Sequence, residues 1–257
     1  MAFDVAADSY DRFMGRYSGP LAPVFADFAG VAPGQRVLDV GCGPGALTTE
    51  LVRRLGPASV VAVDPSPPFV EAARERHPAV EVHHAGAEQL PLADGSFDGA
   101  LAQLVVHFMA DPLAGLGEMA RVTGQGGVVA ACVWDFEEGG SPLSLFWQAA
   151  GEVDPDVEGE AQLPGTRRGH LAQLLQAAGL QDVDASTLSI DVGHRSFDEW
   201  WEPFTLGVGP AGAYVSSLDQ TRRARLEERC RLLLPESPFE LRAVAWVARG
   251  SVAHTGA

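Results

Sequence analysis

The sequence lacks the features of a membrane or secreted protein. It contains no apolar run of about 18 residues, the length that a transmembrane helix requires. Its first residues include Asp4, Asp8 and Asp11, whereas a secretory signal begins with basic residues and continues with an apolar segment. We therefore expect a protein that neither crosses nor binds a membrane.

Cysteine is also scarce. Cys42, Cys132 and Cys230 are odd in number and widely spaced, so they form neither a disulfide framework nor a metal-ligand pattern. This cysteine usage suits a reducing compartment. We expect a cytoplasmic protein without a bound metal ion.

Positive charge is in short supply. The chain has 18 lysine and arginine residues against 34 aspartate and glutamate residues, a net charge of −16. Binding of nucleic-acid phosphates requires clustered basic side chains. The basic cluster that exists lies on a predicted helix that also carries glutamates, which is typical of a solvated face. Its arginines are Arg222, Arg223, Arg225, Arg229 and Arg231. We expect no nucleic-acid partner.

A glycine-rich turn is the most informative feature that the sequence does contain. The apolar segment Val37–Val40 predicts a buried strand, Gly41, Gly43 and Gly45 predict a tight turn, and the periodic leucines of Ala46–Leu55 predict a helix. Such a turn presents free backbone N–H groups and the positive end of a helix dipole. It is therefore a candidate site for the anionic end of a ligand.

Two neighbours of the glycines bear on the choice of ligand. Gly41-x-Gly43-x-x-Ala46 also satisfies a loose dinucleotide fingerprint. Asp39, however, places a carboxylate where a pyrophosphate would be repelled, and Pro44 removes one N–H group from the turn. A ligand with both an amine and a carboxylate fits better, and S-adenosylmethionine is such a ligand. A nicotinamide-dependent oxidoreductase is the less favoured alternative.

Four segments occur in a characteristic order and spacing. They read VLDVGCGPGALT, VVAVDPS, AGAEQLPLADGSFDGALA and EMARVTGQGGVVAACVW. They resemble the class I S-adenosylmethionine-dependent methyltransferases, most closely the small-molecule branch similar to the ubiquinone/menaquinone-type enzymes, over residues 35 to 135. The resemblance implies S-adenosyl-L-methionine as cofactor, S-adenosyl-L-homocysteine as product and a small-molecule substrate. We allow for a homodimer.

The second strand ends at a carboxylate suited to a ribose. Asp64 lies about 20 residues past the glycines at the tip of this strand, where it could accept hydrogen bonds from both ribose hydroxyls. Pro65 stiffens the following turn, and Ser66 is placed to cap the next helix. We assign all three to the cofactor site.

The remaining cofactor residues are less directly indicated. The resemblance, with a weaker echo in YDRFMGRYS, implies that Tyr10 and Arg16 reach the methionine carboxylate, and that Ala87 and Glu88 bind the adenine. Gly86 takes the place of the family's usual aspartate. Gln103 ends the fourth strand, at the edge where open α/β sheets collect ligands.

Methyl transfer requires alignment of the reactants and exclusion of water more than it requires a catalytic triad. If the acceptor must lose a proton, a general base helps. His107, after the fourth strand, is the candidate base, with His194 second. Asp135, after the fifth strand, could face the acceptor.

Aromatic residues are concentrated in the last third of the chain. Trp200, Trp201 and Phe204 would suit either the packing core of a small lid or the wall of a substrate pocket. We expect them in the pocket, which favours an apolar or aromatic acceptor.

Strands and helices alternate up to residue 134, which predicts a parallel sheet covered on both faces. With the resemblance, this predicts an α/β, Rossmann-like, doubly wound sheet of seven mostly parallel strands. We divide the chain into an N-terminal helical flap (1–34), a cofactor-binding domain (35–192 and 239–257) and a helical lid (193–238) inserted before the last strand. Because fold does not determine chemistry, a protein that binds the cofactor without methylating is a second alternative.

Overall fold

The computed structural model describes residues 7–254 and is organised around one seven-stranded sheet. The strands are β1 (Val37–Val40), β2 (Val60–Asp64), β3 (Glu81–His84), β4 (Phe97–Gln103), β5 (Thr123–Trp134), β6 (Gln181–His194) and β7 (Phe239–Ser251). Their spatial order is β3-β2-β1-β4-β5-β7-β6. Only β7 runs antiparallel to its neighbours β5 and β6. The predicted fold class is confirmed.

Ten α-helices connect and cover these strands in the described part of the chain. They are α1 (Ala7–Tyr10), α2 (Arg16–Ala29), α3 (Ala46–Leu55), α4 (Pro67–Arg76), α5 (Pro112–Val122), α6 (Ser144–Val153), α7 (His170–Ala177), α8 (Phe197–Trp201), α9 (Gly209–Ser217) and α10 (Gln220–Leu233). A π-helical turn, Asp11–Gly15, joins α1 to α2. Short 3₁₀ turns include Val106–Phe108, Glu160–Gln162 and Glu202–Leu206. No helix within residues 7–254 combines the length and the apolar character that crossing a bilayer requires.

Alternating side chains of the strands build one core on each face of the sheet. On one face Val37 packs in a cluster that includes Leu21 of α2 and Leu47 of α3. On the other face Leu38 packs in a cluster that includes Leu116 of α5 and Leu171 of α7. This two-sided burial follows from the period of two along a strand and explains the nearly continuous apolar character of the parallel strands.

The predicted N-terminal flap divides into two parts. Leu21 and Phe25 of α2 are completely buried, so this helix is a layer of the main core rather than a separate flap. Residues 7–15 extend from it toward the carboxyl edge of the sheet, where Phe13 and Met14 line a cavity. Residues 1–6 of the flap, including Asp4, lie outside the described residues, as do residues 255–257 of the cofactor-binding domain.

The region predicted as a lid packs against a second segment of the chain. Residues 193–238 contain the end of β6 and the helices α8, α9 and α10, and α6, which precedes β6, packs against this region. Phe146 of α6 stacks on Phe204 with ring centroids 4.5 Å apart, and Trp147 lies 6.1 Å from the ring of Tyr214. An ion pair between Glu152 and Arg229 also joins α6 to α10. The sequence-based division had assigned α6 to the cofactor-binding domain.

Candidate functional site

The glycine-rich turn lies at the carboxyl edge of the sheet, between β1 and α3. Gly41, Gly43 and Gly45 have φ angles of +70°, +55° and +99°, a region that side chains disfavour. At Gly41 a Cβ atom would also lie 2.5 Å from Cγ2 of Val105. Glycine is therefore required at these positions, and the ligand contact of the turn stays a prediction.

The first N–H groups of this turn already have partners. Gly41 and Cys42 donate to the carbonyl of Val63 at 2.8 and 3.0 Å, and Gly43 donates to Oδ2 of Asp64 at 2.8 Å. The expectation of free N–H groups is wrong for these three residues, because the turn folds onto the end of β2. An anionic ligand group would have to find its donors elsewhere.

Two buried carboxylates flank the turn. Asp39 is 1% exposed and accepts a hydrogen bond from the hydroxyl of Thr48 at 2.6 Å. Asp64 is 5% exposed and accepts from Ser66 N at 2.8 Å as well as from Gly43. Burial raises the pKa of Asp39 to about 7 and also raises the pKa of Asp64. Both carboxylates would be stabilised by a cationic or hydroxyl-bearing ligand.

The residues after Asp64 shape the turn into α4. Ser66 occupies the N-cap position, but its side chain makes no capping hydrogen bond, contrary to expectation. The carbonyl of Pro65 is 2.9 Å from Nε2 of His84, which ties the turn to the end of β3. The predicted ribose contact of Asp64 stays a prediction.

Arg16 is directed toward the lid rather than toward the glycine turn. Its guanidinium lies 2.8 Å from Nδ1 of His194 and 3.1 Å from Oε1 of Glu199. Glu199 supplies the anion that a half-buried arginine needs, and the expected contact with a methionine carboxylate stays a prediction. Tyr10 does lie beside the turn, since a Cβ atom on Gly43 would be 3.8 Å from its ring.

The other predicted cofactor residues make contacts within the protein. Oε1 of Glu88 accepts from the N–H of Ala110 at 2.8 Å, which ties the β3 loop to the segment before α5. Nε2 of Gln103 donates to the carbonyl of Ser18 at 3.0 Å and so anchors α2. Ala87 is buried. The cofactor roles of Ala87, Glu88 and Gln103 stay predictions.

A small cavity lies at the ends of β4 and β5, beneath the lid. Its volume is about 30 Å³, and its wall is mainly apolar and aromatic. The N-terminal segment contributes Phe13 and Met14, the strand ends contribute Leu104 and Trp134, and the loop before α6 contributes Leu143. Such an apolar and aromatic wall is found in sites for small organic molecules, whereas the volume is that of one or two water molecules.

His107 lines this cavity, as its position after β4 predicted. Burial lowers its pKa to about 3, and its Nδ1 has no hydrogen-bond partner among residues 7–254. The imidazole is therefore neutral and a weak proton acceptor at physiological pH. His194 is a weak base as well, because burial and then Arg16 lower its pKa to about 4.

Four other residues assigned to the substrate pocket lie elsewhere. Trp200, Trp201 and Phe204 are 2%, 6% and 3% exposed and pack against one another in the core of the lid, outside the cavity wall. Asp135 accepts from the N–H of Glu138 at 2.8 Å and so shapes the loop after β5. Aromatic packing and a loop turn explain these residues better than substrate contact.

Glu160 is a cavity residue that the sequence did not reveal. It is 3% exposed, and its Oε2 accepts from Nε1 of Trp147 at 2.9 Å. Burial raises its pKa to about 7. It lies at the end of the acidic run EVDPDVEGE, which is typical of a solvated loop, so no local signal distinguishes it.

The fold is Rossmann-like, with a glycine turn and two buried carboxylates at the carboxyl edge of the sheet. Residues 38–131 match the family described as a methyltransferase domain. The resemblance to class I S-adenosylmethionine-dependent methyltransferases is therefore confirmed for the part of the chain that carries the four motifs.

Relatives and solved structures agree with this assignment. A protein of Mycobacterium bovis named as an uncharacterized methyltransferase is 38% identical over 135 residues, which are 52% of this chain and 52% of that protein. A methyltransferase of Thermotoga maritima has a TM-score of 0.53 at 21% identity and covers 95% of this chain and 99% of its own. Phosphoethanolamine N-methyltransferase 2 of Haemonchus contortus, in complex with S-adenosylhomocysteine, has a TM-score of 0.59 at 16% identity over 96% of this chain and 56% of its own.

The chain spans 34% to 52% of the length of the first curated relatives that it matches. S-adenosylmethionine is the cofactor of the domain class, and the carboxylates of Asp39 and Asp64 suit its cationic and hydroxyl-bearing parts. Among residues 7–254, no group of histidine, cysteine, aspartate and glutamate side chains could hold a metal ion.

Proposed function

We propose that this protein is an S-adenosylmethionine-dependent methyltransferase that acts on a small apolar or aromatic molecule. The observation that carries the proposal is that the glycine turn and the apolar cavity lie side by side at one edge of the sheet. The glycine turn with the buried carboxylates Asp39 and Asp64 lies beside a mainly apolar cavity, and Tyr10 contributes to both.

In such a reaction, different residues of the chain would bind different parts of the cofactor and the acceptor. Asp64 would accept hydrogen bonds from ribose hydroxyls, Asp39 would face the positively charged methionine portion, and Ala87 and Glu88 would border the adenine. The bound cofactor supplies a methyl group on a sulfonium, which is ready for in-line displacement. The cavity wall and the lid orient the acceptor and exclude water.

Calorimetric titration with S-adenosylmethionine and, separately, with S-adenosylhomocysteine tests the proposal. We expect micromolar binding of both ligands, a loss of about a hundredfold or more in Asp64→Ala because two hydrogen bonds to a charged group disappear, and no loss in Asp191→Ala. Asp191 is exposed on β6 and serves as the matched control. Absence of binding by the wild-type protein, or full binding by Asp64→Ala, would contradict the assignment.

Two further measurements distinguish the alternatives: a titration with a nicotinamide cofactor and an assay for S-adenosylhomocysteine formation. Binding of a nicotinamide cofactor in place of S-adenosylmethionine would support the oxidoreductase alternative. Binding of S-adenosylmethionine, with no S-adenosylhomocysteine formed in the presence of any apolar or aromatic acceptor, would support a protein that retains the cofactor without methylating.

A further inference from the structure

The wall of the cavity beneath the lid contains one carboxylate. Of the residues within 7–254 that line it, Glu160 is the one with an acidic side chain, and none is lysine or arginine. The same wall includes the aromatic residues Tyr10, Phe13, Phe108 and Trp134. A carboxylate in an aromatic surrounding, with no cation beside it, is suited to an organic ammonium group, which both the charge and the aromatic faces attract.

The carboxylate of Glu160 has unused capacity for hydrogen bonding. Oε2 accepts from the indole of Trp147, whereas Oε1 has no hydrogen-bond partner among the described residues. An ionised carboxylate can accept several hydrogen bonds. Burying it with a single neutral donor costs free energy that a ligand with N–H groups would offset.

We propose that Glu160 is the acceptor-binding carboxylate and that the acceptor is a primary or secondary amine on an apolar or aromatic body. This inference deepens the proposed function and rests on it, because it names the substrate class of the same site. It also makes the reaction an N-methylation.

The same carboxylate accounts for activation of the amine. An ammonium ion has no lone pair with which to attack a methyl group. One N–H bond breaks as the proton moves to Oε1 of Glu160, which leaves a neutral amine with its lone pair and a neutral carboxylic acid. Burial has raised the pKa of Glu160 to about 7, which brings this carboxylate closer to an amine in basicity and favours a neutral pair in the cavity.

A purely structural role for Glu160 makes a different prediction. If Glu160 served only to hold Trp147, a glutamine would serve equally well, because its amide oxygen can accept the same indole hydrogen bond. Glu160→Gln therefore keeps the hydrogen bond and removes the charge. Glu158→Gln makes the same chemical change two residues away at an exposed side chain, and it is the matched control.

Three probes that share an aromatic body and differ in their polar end group test which end group the cavity prefers. They are 2-phenylethylamine, 2-phenylethanol and 3-phenylpropionate, each titrated at pH 8 into the ligand-free protein. A cavity of about 30 Å³ has room for one or two waters, so any of these probes enters only if part of the cavity wall moves outward. All three share that cost, and the difference between their affinities reports on the end group alone.

We expect the amine to bind about tenfold or more tightly than the alcohol, and the acid to bind most weakly, in the wild type and in Glu158→Gln. In Glu160→Gln the preference for the amine should disappear. Equal binding of amine and alcohol by the wild type, or an amine preference that survives in Glu160→Gln, would overturn the inference.

The pH dependence of amine binding can decide the matter if Glu160→Gln fails to fold. The preference for the amine should shrink as pH falls from 8 to 6, because the carboxylate becomes protonated. The other titratable groups that line the cavity do not titrate in this range, since burial raises the pKa of Tyr10 and lowers that of His107 to about 3. Asp39 in the neighbouring turn has a pKa of about 7, so the same pH series is measured with Asp39→Asn, where the change should persist. A preference that does not change with pH would refute the role of Glu160.

Titration of S-adenosylmethionine into the same three proteins separates the two proposals. Cofactor binding without amine preference would leave the proposed function standing and refute the acceptor class. Amine preference without cofactor binding would refute the proposed function and leave Glu160 as part of an amine-binding site only.

Discussion

Replacing Asp39 with asparagine is expected to stabilise the ligand-free protein at alkaline pH while weakening its binding of S-adenosylmethionine. Asp39 is 1% exposed, and Thr48 is its hydrogen-bonding partner. No ion pair within residues 7–254 compensates its charge. Asparagine has nearly the same shape and can still accept the hydrogen bond from Thr48, so the substitution chiefly removes the charge.

The magnitude follows from the pKa of the carboxyl group. Burial raises the pKa of Asp39 from 3.8 to about 7, so the folded protein resists ionisation that the unfolded chain undergoes freely. The resulting stability is fully present below about pH 4 and is lost as pH rises to about 7. The shift corresponds to at most about 4 kcal/mol of unfolding free energy. Asparagine cannot ionise, so its advantage appears only at the higher pH.

Urea unfolding at pH 4.5 and pH 8 measures this effect. The unfolding free energy of Asp39→Asn should exceed that of the wild type at pH 8, and the difference should fall to about a quarter of that value at pH 4.5. Asp191→Asn, at an exposed position, should show neither change. If Asp39→Asn were less stable than the wild type at pH 8, the ionised carboxylate would have an unrecognised stabilising partner and the reasoning would be wrong.

Three further substitutions test other parts of the structure. Gly41→Ala should lower both the melting temperature and the affinity for S-adenosylmethionine, because φ is +70° and the new methyl would lie 2.5 Å from Val105; an unchanged melting temperature would contradict this. Glu50→Gln should lower the urea midpoint at pH 7 but not at pH 2. A hydrogen bond from Arg53, together with the ion pairs that Arg53 and Arg54 form, lowers the pKa of Glu50 to about 2, so its contribution is present above about pH 4.5 and lost as pH falls toward 2. Arg16→Ala should increase proteolysis of residues 193–238 and leave affinity for S-adenosylmethionine within about twofold, since Arg16 contacts Glu199 and His194; a large loss of affinity would instead support a contact with the methionine carboxylate.

Local patterns predicted the elements around the glycine turn closely. The strand Val37–Val40 and the helix Ala46–Leu55 have their predicted bounds, because a buried strand and an amphipathic helix each carry their own periodicity. The first residue of the fifth strand was not predicted correctly. The apolar run from 128 to 134 predicts a strand there, but β5 already begins at Thr123, because pairing with neighbouring strands extends it through the glycines that follow α5.

The substrate side of the site was much less predictable. Trp200 and Trp201 have the composition of a pocket wall, and only the three-dimensional packing assigns them to the core of the lid. Glu160 has the sequence context of an exposed loop, and it becomes a buried cavity residue because α6 brings Trp147 over it. Contacts between distant segments decide both cases, and no local period encodes such contacts.

The electrostatics of the carboxyl edge link the two halves of the site. Asp39, Asp64 and Glu160 are all buried, and burial raises the pKa of each. Their partners within the described chain are hydroxyl, indole and backbone N–H groups, none of which neutralises a charge. Burial of three carboxylates without a cation at one edge lowers the stability of the ligand-free protein. It also favours binding of ligands that carry positive charge or hydroxyl groups. S-adenosylmethionine has both at the glycine turn, and an amine would supply the charge beneath the lid. The same preference for cations therefore accounts for the cofactor proposed at one end of the site and the acceptor proposed at the other.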